Sequence, residues 1–166
     1  MEKKRGFEVL STYKNKEIHL PTRATKKAAG YDFEASEEVV IPSIIKNFLS
    51  QRGVPKELKG IKPTLVPTGV KAYMGADEYL QLANRSSNPL KRFLLLGNGI
   101  GVIDADYYNN AANEGHIMFQ FLNIGLSDVV IKKGERIGQG IFLPFLKADD
   151  DHAYEERKGG FGSSGK

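Results

Sequence analysis

Cysteine is absent from the 166 residues, which excludes a disulfide framework, a thiolate metal site and a thiol nucleophile. Long apolar runs are missing too. The longest, such as Leu94 to Leu96, fall far short of the ~20 residues that span a bilayer, so no membrane role is expected. The opening Met1-Glu2-Lys3-Lys4-Arg5 leads into only a few apolar residues before Ser11 and Thr12. It lacks the hydrophobic region of an export signal, and the cytoplasm is the expected location. His19, His116 and His152 lie far apart and, with no cysteine beside them, offer no zinc-activated water. Excess charge is small: 24 Lys plus Arg against 20 Asp plus Glu give +4. The basic residues are spread along the chain without interleaved aromatics, so no nucleic-acid role is expected. A few of them gathered around a polyphosphate would use the same charge differently.

What is present is 40% hydrophobic residues with Gly 18 and Pro 7, too apolar for a disordered chain and too rich in turn formers for a helical bundle. The length predicts one domain over 1–166. Short β-branched or alternating runs bounded by turn residues predict strands at Phe7–Leu10, Val39–Ile41, Leu65–Tyr73, Glu78–Ala83 and Lys91–Leu95. More are expected at Gly101–Ile103, His116–Asn123, Asp128–Ile131 and Gly138–Pro144. Nine or ten short strands with no βαβ unit imply an all-β sandwich, jelly roll or barrel. Pro42 to Pro63 reads as a connection holding one helical turn or a short helix, with about 43–60 as a surface insertion. The stretch 147–166 is polar and glycine-rich and reads as a tail.

Five segments carry residue types suited to chemistry. Ala28-Ala29-Gly30-Tyr31-Asp32 reads either as a surface turn with an incidental acid or as a turn that sets a carboxylate beside a ligand's metal. Asn84-Arg85-Ser86-Ser87-Asn88-Pro89 reads equally as a solvated turn or as a phosphate grip. Gly97 to Tyr108 places three glycines and the amide of Asn98 in one hairpin, a pocket for an amide-bearing base. If the backbone stays extended, Asp104 and Asp106 share a face and one could orient water. Gly134 to Phe142 reads as a turn feeding a strand that offers Gln139. Arg157 to Lys166 combines cations, mobile backbone, Phe161 and hydroxyls, able to close over a nucleotide. Gly160 to Lys166 also meets the first seven positions of the GxxxxGK phosphate loop. Its Ser/Thr would fall at the position after Lys166, and the helix that such a loop requires has no residues to form from.

In order and spacing, AGYD, RSS, GVIDADY, GERIGQGIF and GGFGSSG resemble the motifs of the trimeric dUTP nucleotidohydrolases (dUTPases), and the resemblance covers nearly the whole chain. It implies a jelly-roll β fold with a flexible C-terminal tail. It implies a homotrimer whose sites draw segments from neighbouring chains, with 147–166 as tail and lid. The implied reaction is Mg²⁺-assisted hydrolysis of dUTP to dUMP and diphosphate by water attack at the α-phosphorus, which keeps uracil out of DNA and supplies dUMP for thymidylate synthesis.

Carried over by residue, the resemblance makes Asp104 the catalytic carboxylate that holds water. Tyr107 packs against deoxyribose, and Asn98, Gly99 and Ile103 belong to the uracil-reading segment. Arg85, Ser86, Ser87 and Gln139 contact phosphates and water, and Asp32 approaches Mg²⁺ through water. Phe161 covers the uracil ring, while Gly162, Ser163 and Ser164 meet the terminal phosphates. The chain departs from the family pattern in four places. Asn109 stands where glycine is common, and Gly138 and Gly140 stand where alanine and a bulkier apolar residue are commoner. Glu156 occupies the usual tail arginine's position, leaving Arg157 or Lys158 for the γ-phosphate. Two rivals remain: a dCTP deaminase, for which Glu114 is available as acid/base, and a binding protein that keeps the trimer without turnover.

Overall fold

A computed structural model describes residues 3–56 and 59–153. Twelve strands, one short helix and several tight turns form its framework. The strands are β1 (Gly6–Val9), β2 (Thr22–Arg23), β3 (Tyr31–Glu34), β4 (Val39–Ile41), β5 (Thr64–Pro67) and β6 (Val70–Tyr73). They continue as β7 (Glu78–Asn84), β8 (Leu94–Leu96), β9 (Gly101–Asp104), β10 (Met118–Asn123), β11 (Val129–Ile131) and β12 (Arg136–Pro144). All pairings are antiparallel. The main layers are a five-stranded sheet in the order β2-β3-β12-β7-β9 and a three-stranded sheet in the order β5-β10-β8, with β1-β6 and β4-β11 as two-stranded pieces.

The two main sheets face each other because alternate side chains of each are apolar. Phe33, Leu80, Leu82, Ile103 and Ile137 come from one layer, and Val66, Leu94, Phe119 and Phe121 from the other, in a single buried cluster. The rings of Phe33 and Phe119 meet across the layers at 5.6 Å. Burial of each such ring stabilises the fold by roughly 1.5–3 kcal/mol. Gly138 and Gly140 explain themselves here: an added Cβ would lie 2.0 Å from the Phe119 ring and 2.6 Å from that of Phe33. The volume given up at the two glycines is filled by two phenylalanines.

Several expected elements differ. The run Leu65–Tyr73 breaks at Thr68-Gly69, where Gly69 takes φ 70°, so its halves, β5 and β6, join different sheets. The Lys91–Leu95 strand begins only at Leu94, because Asn88–Arg92 forms a wide helical turn and Phe93 is left-handed at φ 57°. Asp32 lies on a strand, β3, rather than on a turn. The Gly97–Tyr108 segment is not a paired hairpin: β8 pairs with β10 and β9 with β7, so the Asn98 turn passes from one sheet to the other. Backbone extension stops at Asp104, and Ala105–Tyr107 is a 3₁₀ turn, so Asp104 and Asp106 do not share a strand face. Within the connection after β4, Ile44–Leu49 forms the short helix α1, which Ser43 caps by accepting from the amide of Lys46. Among the described residues no helix is long and apolar enough to cross a membrane.

Candidate active site

One cluster forms where β3, β12 and the turn after β7 meet. The β12 register against β3 shifts between Arg136 and Gly138, so Ile137 is a bulge residue. One extra residue reverses the in-out alternation, and Arg136 and Gln139, three positions apart, emerge on the same side. Both reach Asp32, with Gln139 Nε2 donating to Oδ1 at 3.1 Å and Arg136 Nη1 to Oδ2 at 3.2 Å. Asp32 is only 8% exposed, a depth at which a carboxylate needs such partners. Gly30 makes room for this arrangement, since a Cβ there would stand 2.9 Å from Gln139 Oε1.

The Arg85-Ser86-Ser87 turn is fastened to the same bulge. Asn88 is buried and donates through Nδ2 to the carbonyl of Ile137 at 2.9 Å and to Asn84 Oδ1 at 2.8 Å. Arg85 Nη1 donates to the Arg136 carbonyl at 3.0 Å, and Ser86 is exposed. Asp32, Arg85, Ser86, Ser87 and Gln139 therefore belong to one neighbourhood. Arg136 and Asn88 complete it and were missed from the sequence. Arg136 sat inside the quoted GERIGQGIF run; Asn88 could only be found from its burial.

The segment Gly97–Tyr108 carries Asn98, Gly99, Asp104 and Tyr107. Asn98 and Gly99 are exposed at the tip of the turn, where Gly99 takes φ 70°. The Ile103 side chain is core, 4% exposed, so what it presents outward is backbone. Tyr107 is also 4% exposed. Its hydroxyl donates to the His116 carbonyl at 2.9 Å and accepts from Asn113 Nδ2 at 2.7 Å, so only part of its ring could meet a sugar. Asn109, in place of the usual glycine, adopts φ 57°. Asparagine is among the few residues with a side chain that tolerate this backbone, so the exit from the turn needs no glycine.

Asp104 and Gln139 stand apart within one chain. Asp104 lies opposite Tyr79, whereas Gln139 lies opposite Ala83. With strand rise ~3.3 Å and spacing ~4.8 Å, four residues along and two strands across separate them by roughly 16 Å. That exceeds what two short side chains can close around one phosphorus atom.

Glu114 and His116 have structural partners. Glu114 accepts from Lys71 Nζ at 2.6 Å and from Ser11 Oγ at 2.6 Å. These hydrogen bonds, that from Lys71 first, hold its carboxyl down to about 2, unsuited to the proton donor that deamination requires. His116 Nε2 accepts from the Gly69 amide at 3.0 Å, and burial lowers its pKa to about 4. Among the described residues no three His, Cys, Asp or Glu side chains group as a metal site. Arg157, Phe161, Gly162, Ser163 and Ser164, with Glu156 and Lys158, lie outside the described residues.

Facing antiparallel sheets, an Arg-Ser turn beside a carboxylate-amide pair and a separate Asn-Asp-Tyr segment define a jelly-roll protein built to handle a nucleotide. The chain belongs to the dUTPase family: the dUTPase family model matches residues 16–165. It is 51% identical over 163 residues to the deoxyuridine 5'-triphosphate nucleotidohydrolase of Lactococcus lactis subsp. lactis (strain IL1403), covering 97% of both chains. It is 34% identical to the enzyme of that name from Escherichia coli O1:K1 / APEC, covering 100% of this chain and 99% of the other. The crystal structure of dUTPase from Streptococcus mutans superposes with TM-score 0.73 at 46% identity, over 87% of this chain and 98% of that one. The dUTPase of Staphylococcus aureus phage phi11, at 18% identity and TM-score 0.66 over 92% and 97%, shares the fold. The chain is an enzyme of this family, whose reaction hydrolyses dUTP to dUMP.

Proposed function

We propose that the protein acts as a homotrimer in the cytoplasm, each site joining the Asp32-Arg85-Gln139 cluster of one chain to the Asn98-Asp104-Tyr107 segment of another. The observation that carries this reading is the separation of Asp104 from Gln139 within a chain. A second supports it. The outer face of the β5-β10-β8 sheet is apolar except for Gln120 opposite Leu65, pairing Leu95 with Leu122 and Pro67 with Met118, with Leu65 and Leu95 48% and 38% exposed. An apolar sheet face of this kind suits burial against other copies.

In the joined site, the Asn98 turn reads the uracil edge and Tyr107 packs against deoxyribose, leaving no room for a 2′-hydroxyl. Arg85, Ser86, Ser87 and Gln139 hold the phosphates. Asp104 accepts a hydrogen bond from the attacking water and takes its proton. The water oxygen bonds to the α-phosphorus, the bond from that phosphorus to the α,β-bridging oxygen breaks, and diphosphate leaves. The residues fit Mg²⁺: a hard cation is commonly held by phosphate oxygens and waters with one or two carboxylates. Asp32, with its oxygens engaged by Gln139 and Arg136, suits contact through water. When bound, the ion offsets charge developing on the phosphates. The tail, through Arg157 or Lys158, Phe161, Gly162, Ser163 and Ser164, closes over the nucleotide.

Product analysis with dUTP, dCTP, dTTP and UTP under one Mg²⁺ condition tests the reading. dUMP and diphosphate should form from dUTP far faster than hydrolysis of the others. Equal turnover of dUTP and dCTP, or binding of dUTP without release of diphosphate, would contradict it.

A further inference from the structure

Lys71 is a lysine only 7% exposed, on β6, behind the segment that carries Tyr107. Its ammonium donates to Asn109 Oδ1 and Glu114 Oε1, both at 2.6 Å, lies 3.9 Å from Glu8 Oε2, and stands 5.1 Å above the Tyr108 ring. A buried ammonium persists only when its donors are met this fully. Asn109 and Glu114 are the two ends of a loop, since the Asn109 amide donates to the Glu114 carbonyl at 3.2 Å. Both are left-handed, φ 57° and 61°, and Gly115 follows at φ 84°. A left-handed residue such as Glu114, neither glycine nor asparagine, persists where its surroundings over-determine it, and such backbone gathers near functional sites.

The same loop carries Tyr107. Asn110 Nδ2 donates to the Tyr107 carbonyl at 2.8 Å, and Asn113 Nδ2 to its hydroxyl at 2.7 Å. A Cβ on Gly115 would lie 2.7 Å from the Tyr107 carbonyl oxygen, so the returning chain is pressed against that residue. Two further links fasten the loop to the strand that bears Lys71: Gly69 N to His116 Nε2 at 3.0 Å and Ile117 N to Val70 O at 2.9 Å.

We infer that Lys71 and Glu114 are positioning residues for sugar selection. By pinning both ends of the 109–114 loop to β6, they fix the depth and tilt of the Tyr107 ring and so the room left for a 2′-hydroxyl. This rests on the assignment of Tyr107 to the deoxyribose. Neither residue touches the nucleotide; both act through the loop. A pair serving stability alone would, when removed, lower the unfolding midpoint and scale activity on all substrates together. A positioning pair changes the preference between substrates.

The test compares kcat/KM for dUTP and UTP in the wild-type protein, Lys71→Met and Glu114→Gln, with thermal unfolding measured alongside. Lys71→Met should lower the dUTP:UTP ratio by roughly tenfold, mainly through a raised KM for dUTP, since contacting residues couple by factors of this order. Glu114→Gln keeps an acceptor for Lys71 but not the charge, and should lower the ratio by a smaller factor. It carries the test if Lys71→Met does not fold. An unchanged ratio in a folded variant would overturn the inference. Failure of the wild-type protein to prefer dUTP over UTP would instead overturn the assignment of Tyr107.

Discussion

Asp104 and Asp32 are both carboxylates on strands, yet they face different tasks. Asp32 is buried under Gln139 and Arg136, while Asp104 ends β9 where the chain turns away. If Asp104 accepts the proton of the attacking water, Asp104→Asn should keep nucleotide binding and lose at least ~100-fold in kcat, the lower end for a positioned general base. Single-turnover hydrolysis beside equilibrium binding checks this, and near-wild-type turnover would contradict it. His116 supplies a pH dependence. Held neutral to about 4 when folded and titrating near 6.5 when unfolded, it binds more protons unfolded throughout that interval. Stability is therefore fully present above pH ~6.5 and falls as pH drops toward ~4, by about 3 kcal/mol. Urea unfolding at pH 7 and 4.5 should show the loss, and His116→Gln should flatten it. At this scale the sequence was legible where a motif named the residue. Asn88 was not, because an anchoring amide differs from a turn asparagine only in its burial.

Between residue and fold, the bulge at Ile137 does the most for the site, since it brings Arg136 and Gln139 to one carboxylate. Nothing in period-2 patterning announces such a bulge; it shows only as adjacent buried Ile137 and Gly138. Most strands were readable from alternation, but β3, read as a turn around Gly30, and the strand ends were not. The Leu65–Tyr73 run is continuous in pattern, and only the positive φ of Gly69 divides it. The two-residue β2 was too short to register. Glycine identity in β12 follows from packing against Phe119 and Phe33. Gly138→Ala should therefore destabilise by ~1–3 kcal/mol through overpacking, and Phe119→Leu in the same chain should recover part of the loss. Denaturant midpoints of the single and double variants decide it, with additive losses counting against the packing account.

At the scale of the molecule, an all-β sandwich, jelly roll or barrel was legible from many short strands and turn residues, and the resemblance to the dUTPases narrowed it to a jelly roll. The separation of Asp104 from Gln139 within one chain was not legible, because it depends on sheet register rather than on order along the chain. If the outer face of β5-β10-β8 is covered by other copies, a charge placed opposite Leu122 should break the assembly. Leu95→Glu should reduce the solution mass from trimer toward monomer; an unchanged mass would place the interface elsewhere. The most direct test of sites completed between chains mixes two inactive variants, Asp104→Asn and Arg85→Ala, by joint unfolding and refolding. Each alone should be nearly inactive. In mixed trimers, a site pairing the intact Asp104 of one chain with the intact Arg85 of another should form with probability about one quarter, and dUTP hydrolysis should return to about that fraction of wild type. No recovery on mixing, with mixed trimers shown to form, would contradict the account and place the whole site within a single chain.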